Sequence, residues 1–187
     1  MRVTGGFLRG RVIESPQGGA IRPTADKTRL AIFNMLESRG ALRDQVVLDA
    51  FCGTGALGIE AISRGAAGAI FMDNARASLD LARRNAHMLG VEAGSHFLEA
   101  DATHPVVRPG HIPPAHLIFL DPPYNKELIP ISCAALDQAG WIHPAGAFWV
   151  METEKEWNPI FPPHITIIGQ KTYGQSAVYL GQTAQSI

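Results

Sequence analysis

Three runs of apolar residues, 46–48, 69–72 and 117–120, pass without a polar interruption, the pattern of strands buried on both faces of a parallel sheet. Between and after them the period becomes helical. Residues 76–89 place Leu79, Ala82, Ala86 and Leu89 on one face and end at Gly90, a residue suited to a helix carboxyl cap. Residues 128–139 read as another helix, with Pro130 in the first turn, where a missing N–H costs little. The spacing predicts strands at 46–50, 68–72, 95–98, 117–120 and 147–152, and a helix leaving a glycine turn at 53–58 and reaching about Ser63. Residues 165–168 and 177–180 complete the series as an antiparallel pair around Gly174. Strands alternating with helices in this order predict an α/β fold with a doubly wound, mostly parallel seven-stranded sheet.

The first 43 residues follow another pattern. β-prone pieces at 2–4 and 11–13 flank Gly5, Gly6 and Gly10 as in a small hairpin, and a Pro- and Gly-containing loop follows at 15–20. A helix is expected from about Asp26 to Ser38, capped by Thr24 or Asp26, with Leu30, Phe33 and Leu36 as its apolar stripe and Ile32 on the flank. Lys27 and Arg29 would then face outward. The chain divides, on this reading, into an extension of residues 1–43 packed on a body of residues 44–187.

Charge sharpens that division. The net charge of −1 averages two unlike parts, since residues 1–43 carry eight Lys or Arg against three acids and the remainder eight against fourteen. A basic arm on an acidic body is an electrostatic footprint for phosphates, with Arg2, Arg9, Arg11, Arg22 and Arg29 as candidate nucleic-acid contacts. The apolar runs are too short to span a bilayer, and residues 1–10 lack the core of a signal peptide, so a cytoplasmic location is expected. Cys52 and Cys133 have no metal-ligand spacing and the seven histidines include no helical pair, so neither a disulfide framework nor a metal is expected. Trp141, Trp149 and Trp157 read as packing residues.

Candidate chemistry gathers at strand ends. Pro122 and Pro123 cannot donate to a sheet ladder, so they stop the strand at Asp121, and Tyr124 follows the fixed turn. Ligands of open α/β sheets bind outside such carboxyl ends, although Asp-Pro-Pro is also ordinary turn chemistry. Gly53, Gly55 and Gly58 have Gly-x-Gly-x-x-Gly spacing, and Asp73 lies at the end of the next strand, placed to hold ribose hydroxyls. A dinucleotide and S-adenosylmethionine both suit this geometry. Asp49, just before the turn, favours the cationic amino end of S-adenosylmethionine over a pyrophosphate, and Asp101, with the backbone beside it at Ala102, is placed to meet the adenine.

Asp49-Ala-Phe-Cys-Gly-Thr-Gly together with Asp121-Pro-Pro-Tyr resembles the Rossmann-like amino-methyltransferases that act on exocyclic nitrogens. The opening Met-Arg-Val-Thr-Gly-Gly-Phe-Leu-Arg-Gly-Arg, then Arg22-Pro-Thr-Ala-Asp-Lys-Thr-Arg and Phe33-Asn-Met-Leu, are similar to the RsmD family, and the resemblance covers nearly the whole chain. It implies a class I S-adenosylmethionine-dependent fold and methylation of a guanine N2 in bacterial 16S rRNA, in an assembled or partly assembled small subunit. A monomer that needs neither membrane nor metal is expected. Asp49, Phe51, Gly53, Gly55, Asp73, Asp101 and Ala102 would hold the cofactor, and Asp121, Pro122 and Tyr124 would serve catalysis. Three positions depart from the family pattern: Leu30 and Asp73, where Glu is usual, and Ala75, often acidic. Two other functions share these features, a DNA amino-methyltransferase, which would normally need a separate recognition domain, and a non-catalytic RNA-binding ribosome-assembly factor. A nicotinamide oxidoreductase accounts for the glycine turn alone.

Overall fold

The expected strands join one sheet. In the computed structural model, which describes residues 1–16, 23–123 and 127–183, β1 (Val46–Ala50), β2 (Gly68–Asp73), β3 (Ser95–Glu99), β4 (Leu117–Leu120) and β5 (Ala147–Glu154) are parallel. β7 (Ser176–Thr183) inserts antiparallel between β5 and β6 (Ile165–Tyr173), giving the order β3-β2-β1-β4-β5-β7-β6. This is the class I methyltransferase arrangement. α1 (Pro23–Glu37), α2 (Ala56–Ser63), α3 (Arg76–Met88) and α4 (Leu128–Gln138) cover the two faces.

Uninterrupted apolar strands feed two cores because successive side chains point to opposite faces. Val47, Phe71, Leu117 and Phe119 pack on one face with α1, α2 and α3, while Leu48, Ile70, Ile118 and Leu120 pack on the other with α4, Trp141 and Trp149. Val3, Leu8 and Ile13 join the first core, so the amino-terminal segment is held by its own apolar residues. Trp141 also donates from Nε1 to the Val106 carbonyl at 2.9 Å.

The expected amino-terminal hairpin forms, with an antiparallel bridge between Arg2 and Val12 and backbone bonds from the Val3 N–H to the Arg11 carbonyl (3.0 Å) and from the Ile13 N–H to the Met1 carbonyl (2.9 Å). Three other expectations are corrected. α1 starts at Pro23 rather than Asp26, since proline's fixed φ suits the first helical turn. Arg29 does not face outward: it is 6% exposed, whereas Leu30 is 40% exposed. β6 and β7 run beyond their apolar stretches because backbone pairing, not side-chain burial, defines them; β6 is a mostly exposed edge with a register shift between Ile167 and Gly169. No helix among the described residues is long and apolar enough to cross a membrane.

Candidate active site

β1 delivers the chain into the glycine turn through a strained residue. Phe51 has φ +65°, rare for a side-chain-bearing residue and a conformation that clusters at functional sites. Gly55 caps α2 at φ +75°, with its N–H donating to the Cys52 carbonyl at 2.7 Å. Gly58 permits a close approach: a Cβ there would lie 2.4 Å from the Phe71 ring, so α2 could not rest on β2. Asp49 reaches from β1 beneath this turn and accepts from the Gly58 N–H at 2.9 Å, satisfying one of the orphan amides at the start of α2. Asp73 accepts from the Gly53 and Ala75 N–H groups, both at 2.9 Å, tying the end of β2 to the turn.

A cavity of about 600 Å³ opens beyond the carboxyl ends of β1, β4 and β5. Asp49, Phe51, Asp121 and Glu152 line it from the sheet, with Thr28 and Arg29 of α1 and the β6–β7 turn closing the sides. Asp49 is 1% exposed and has no cation paired to it among the described residues. Burial, with the nearby Asp121 and Asp73 charges, pushes its carboxyl up to about 8 against the partial relief of the Gly58 bond. Asp121 is open to the cavity, yet the walls displace most bulk water around it; that desolvation, with the Glu152 charge, raises it to about 7. Burial likewise pushes the Cys52 thiol up, so it is an inert wall rather than a nucleophile.

Acids crowded at the strand ends, with the Arg29 that lines the same cavity already bonded to Asp26 and Glu60, disfavour an anionic ligand and favour a cationic one. This donor set therefore fits the ammonium and sulfonium charges of S-adenosylmethionine and opposes a pyrophosphate. Asp101 stands further along the sheet edge, outside the cavity lining, where the Thr103 hydroxyl bonded to it holds its carboxyl below the usual range. Ala102 is 2% exposed, so only its backbone could meet a ring.

The floor of α1 is ionic. Arg29 bonds to Glu60 (3.4 Å), Asp26 (3.0 Å) and the Arg2 carbonyl, and Glu60, fully buried, also receives Arg64 at 2.8 Å and both the N–H and the hydroxyl of Thr4. The charge of Arg29 is thus spent inside the protein. Arg2, Arg9 and Arg11 are exposed, and Phe7 on the same turn is 71% exposed. Arg22 and Tyr124 lie outside the described residues.

Among known proteins, the family described as Conserved hypothetical protein 95 matches residues 1–182. The chain belongs to that family. Ribosomal RNA small subunit methyltransferase D of Escherichia coli is 32% identical over 97% of this chain and 89% of its own. The protein of the same name from Haemophilus influenzae is 28% identical over 93% of this chain and 89% of its own. A solved structure from E. coli, described as a candidate methyltransferase, superposes with a TM-score of 0.83 at 30% identity, covering 100% of this chain and 99% of that one. An RNA methyltransferase from Salinibacter ruber, solved with S-adenosyl-L-homocysteine, shares the fold at a TM-score of 0.58 and 19% identity, over 84% of this chain and 93% of that one. The likeness to RsmD read from the motifs is therefore shown, and the family is one of methyltransferases.

Two residues of the site escaped the sequence reading. Glu152 is an acid at the end of an apolar strand, the same signal that Asp49, Asp73 and Asp121 give, and could have been found by it. Glu60 gave only one local signal, Arg64 four residues on, because its other partners, Thr4 and Arg29, are far away in sequence.

Proposed function

We propose that this protein uses S-adenosylmethionine to methylate the exocyclic N2 of a guanosine in bacterial small-subunit rRNA, in the cytoplasm, on an assembled or partly assembled subunit. The observation that carries the proposal is the placement of Asp121 and Pro122 at the end of β4, where Asp121 lines one cavity with Asp49 and the glycine turn. The names of the relatives, which are small-subunit rRNA methyltransferases, support the substrate.

S-adenosylmethionine, when bound, supplies an electrophilic methyl group. Asp49 and Asp73 are the residues to hold its amino and ribose ends, with Asp101 and the Ala102 backbone at the adenine. A guanine N2 lone pair is delocalised into the ring, so the amine attacks only when its hydrogens are drawn aside by acceptors. The Asp121 carboxylate and the Pro122 carbonyl are those acceptors, held in place by the two prolines, so little reorganisation is needed at the moment of reaction. Methylation of N2 would leave one proton to be shed, and Asp121 is the group placed to take it. Tyr124 is assigned to stack on the base, which must leave its own stack to enter. Arg2, Arg9 and Arg11 hold phosphates, with Phe7 exposed beside them as a stacking surface.

The test is transfer of labelled methyl to naked small-subunit rRNA, to protein-bearing small subunits and to duplex DNA, with nucleoside analysis. Label in N2-methylguanosine from a ribosomal substrate is expected. Label only in DNA would overturn the substrate, and cofactor binding with no label anywhere would leave an assembly factor.

A further inference from the structure

Glu152 has no place in the mechanism above, yet it lines the same cavity as Asp121. Leu120 pairs with Met151 across β4 and β5, and Asp121 and Glu152 are the residues that follow each of them. Val150 and Glu152 line the cavity, whereas Met151 between them belongs to the core on the other face, so the alternation of β5 turns Glu152 towards Asp121. Glu152 is half-buried, and among the described residues no hydrogen bond or ion pair occupies its carboxylate. The charge of Glu152 is felt by Asp121, whose carboxyl it helps to raise. Two acceptors thus stand side by side at the mouth of β4 and β5.

Among the amine-bearing bases only guanine matches that pair. Its N2 amine lies beside N1–H, a second donor, whereas the ring nitrogen beside the amine is a bare acceptor in adenine (N1) and in cytosine (N3). A carboxylate facing that ring position attracts guanine and repels the other two. Resting on the proposed guanine-N2 reading, we infer that Glu152 is a specificity-determining residue, its carboxylate accepting the N1–H of the base whose N2 hydrogens are held by Asp121 and Pro122. Glu152 selects and positions; it takes no part in bond making.

The test replaces N1–H without touching the amine. Small subunits are reconstituted from ligated RNA carrying, at the position that the wild-type protein methylates, either guanosine or 2-aminopurine riboside, which keeps the N2 amine but has a bare N1. Single-turnover transfer is then measured for the wild type, Glu152→Ala and Glu152→Gln, each first checked for cofactor binding and melting temperature. The wild type should favour guanosine by about tenfold to hundredfold, the range for leaving a buried polar group unpaired. In Glu152→Ala the preference should collapse towards one, and Glu152→Gln, whose amide both donates and accepts, should lose it too. The coupling between substitution and base is the readout, because a merely structural change would slow both substrates alike. Equal transfer to both bases by the wild type, or undiminished preference in both variants, would overturn the role of Glu152 while leaving guanine-N2 methylation intact. Absence of N2-methylguanosine from wild-type reactions would instead overturn the parent reading, and this inference with it.

Discussion

Glu60 and Asp49 are both acids shut away from water, 0% and 1% exposed, and they behave in opposite ways. Glu60 is enclosed by donors: two arginines, a backbone N–H and a hydroxyl. Asp49 accepts one backbone N–H and feels the charges of Asp121 and Asp73. The first arrangement is complete and fixes the amino-terminal segment to α2. The second is electrostatically incomplete, and a cationic ligand would complete it. Burial alone therefore does not mark a functional acid; burial without a counter-charge does.

The sharpest way to break the comparison is at Glu60. Glu60→Ala takes away the buried acceptor that Arg29 and Arg64 share, leaving them only the more exposed acids Asp26 and Glu37, and releases Thr4, so the fold should lose about 3–5 kcal/mol in denaturant unfolding, the cost of removing one partner of a buried ion pair. Asp49→Asn should do the opposite in the unliganded protein, raising its melting temperature while weakening S-adenosylmethionine. If both variants lose stability alike, the distinction fails.

Gly58→Ala comes next. A methyl group 2.4 Å from Phe71 forces α2 off β2, which should cost about 1–3 kcal/mol and disturb the Asp49 bond at the same amide. Thermal unfolding with and without cofactor would show both effects, and a variant as stable as the parent would mean that the helix shifts freely.

Proton linkage is a smaller and more specific effect. The folded carboxyl of Asp49 sits at about 8, above its ordinary value of 3.8, so the stability it contributes is present at low pH and is lost as pH rises through about 8. A cation bound beside Asp49 favours its ionised form and releases the proton. Affinity for S-adenosylmethionine should therefore increase between about pH 6 and 8, by at most about tenfold per unit for one proton. Calorimetry in buffers of different ionisation enthalpy would detect the released proton, and a pH-independent affinity would contradict it.

The smallest effect belongs to the exposed arm. Arg9→Ala with Arg11→Ala should weaken binding to small-subunit rRNA and lower the slope of log affinity against log salt by about 1–2, while Arg29→Ala should act on stability instead. An unchanged slope for the exposed pair would remove them from the RNA interface.

Much of this was legible from the chain. Apolar runs at β1, β2 and β4 announced a doubly covered sheet, and the glycine spacing placed α2, because both signals are local. Arg29 was not legible for a physical reason. The stripe of Leu30, Phe33 and Leu36 is rotated from the buried face, which is Arg29, Ile32, Phe33 and Leu36, and a buried arginine reads as polar until its partner is seen. That partner, Glu60, lies on another helix. The β6–β7 hairpin was underestimated in length because backbone pairing leaves little trace in side-chain pattern.

Asp121 is the residue on which the proposed chemistry depends, and the most direct measurement is labelled-methyl transfer by Asp121→Ala to small-subunit rRNA and protein-bearing subunits, with S-adenosylmethionine affinity determined on the same preparation. Transfer should fall by about a thousandfold or more, as when a donor or acceptor of the transition state is removed, while affinity stays within severalfold. Transfer near the parent rate, or loss of cofactor binding in step with transfer, would contradict the assignment of the β4 terminus as the place where the amine is held.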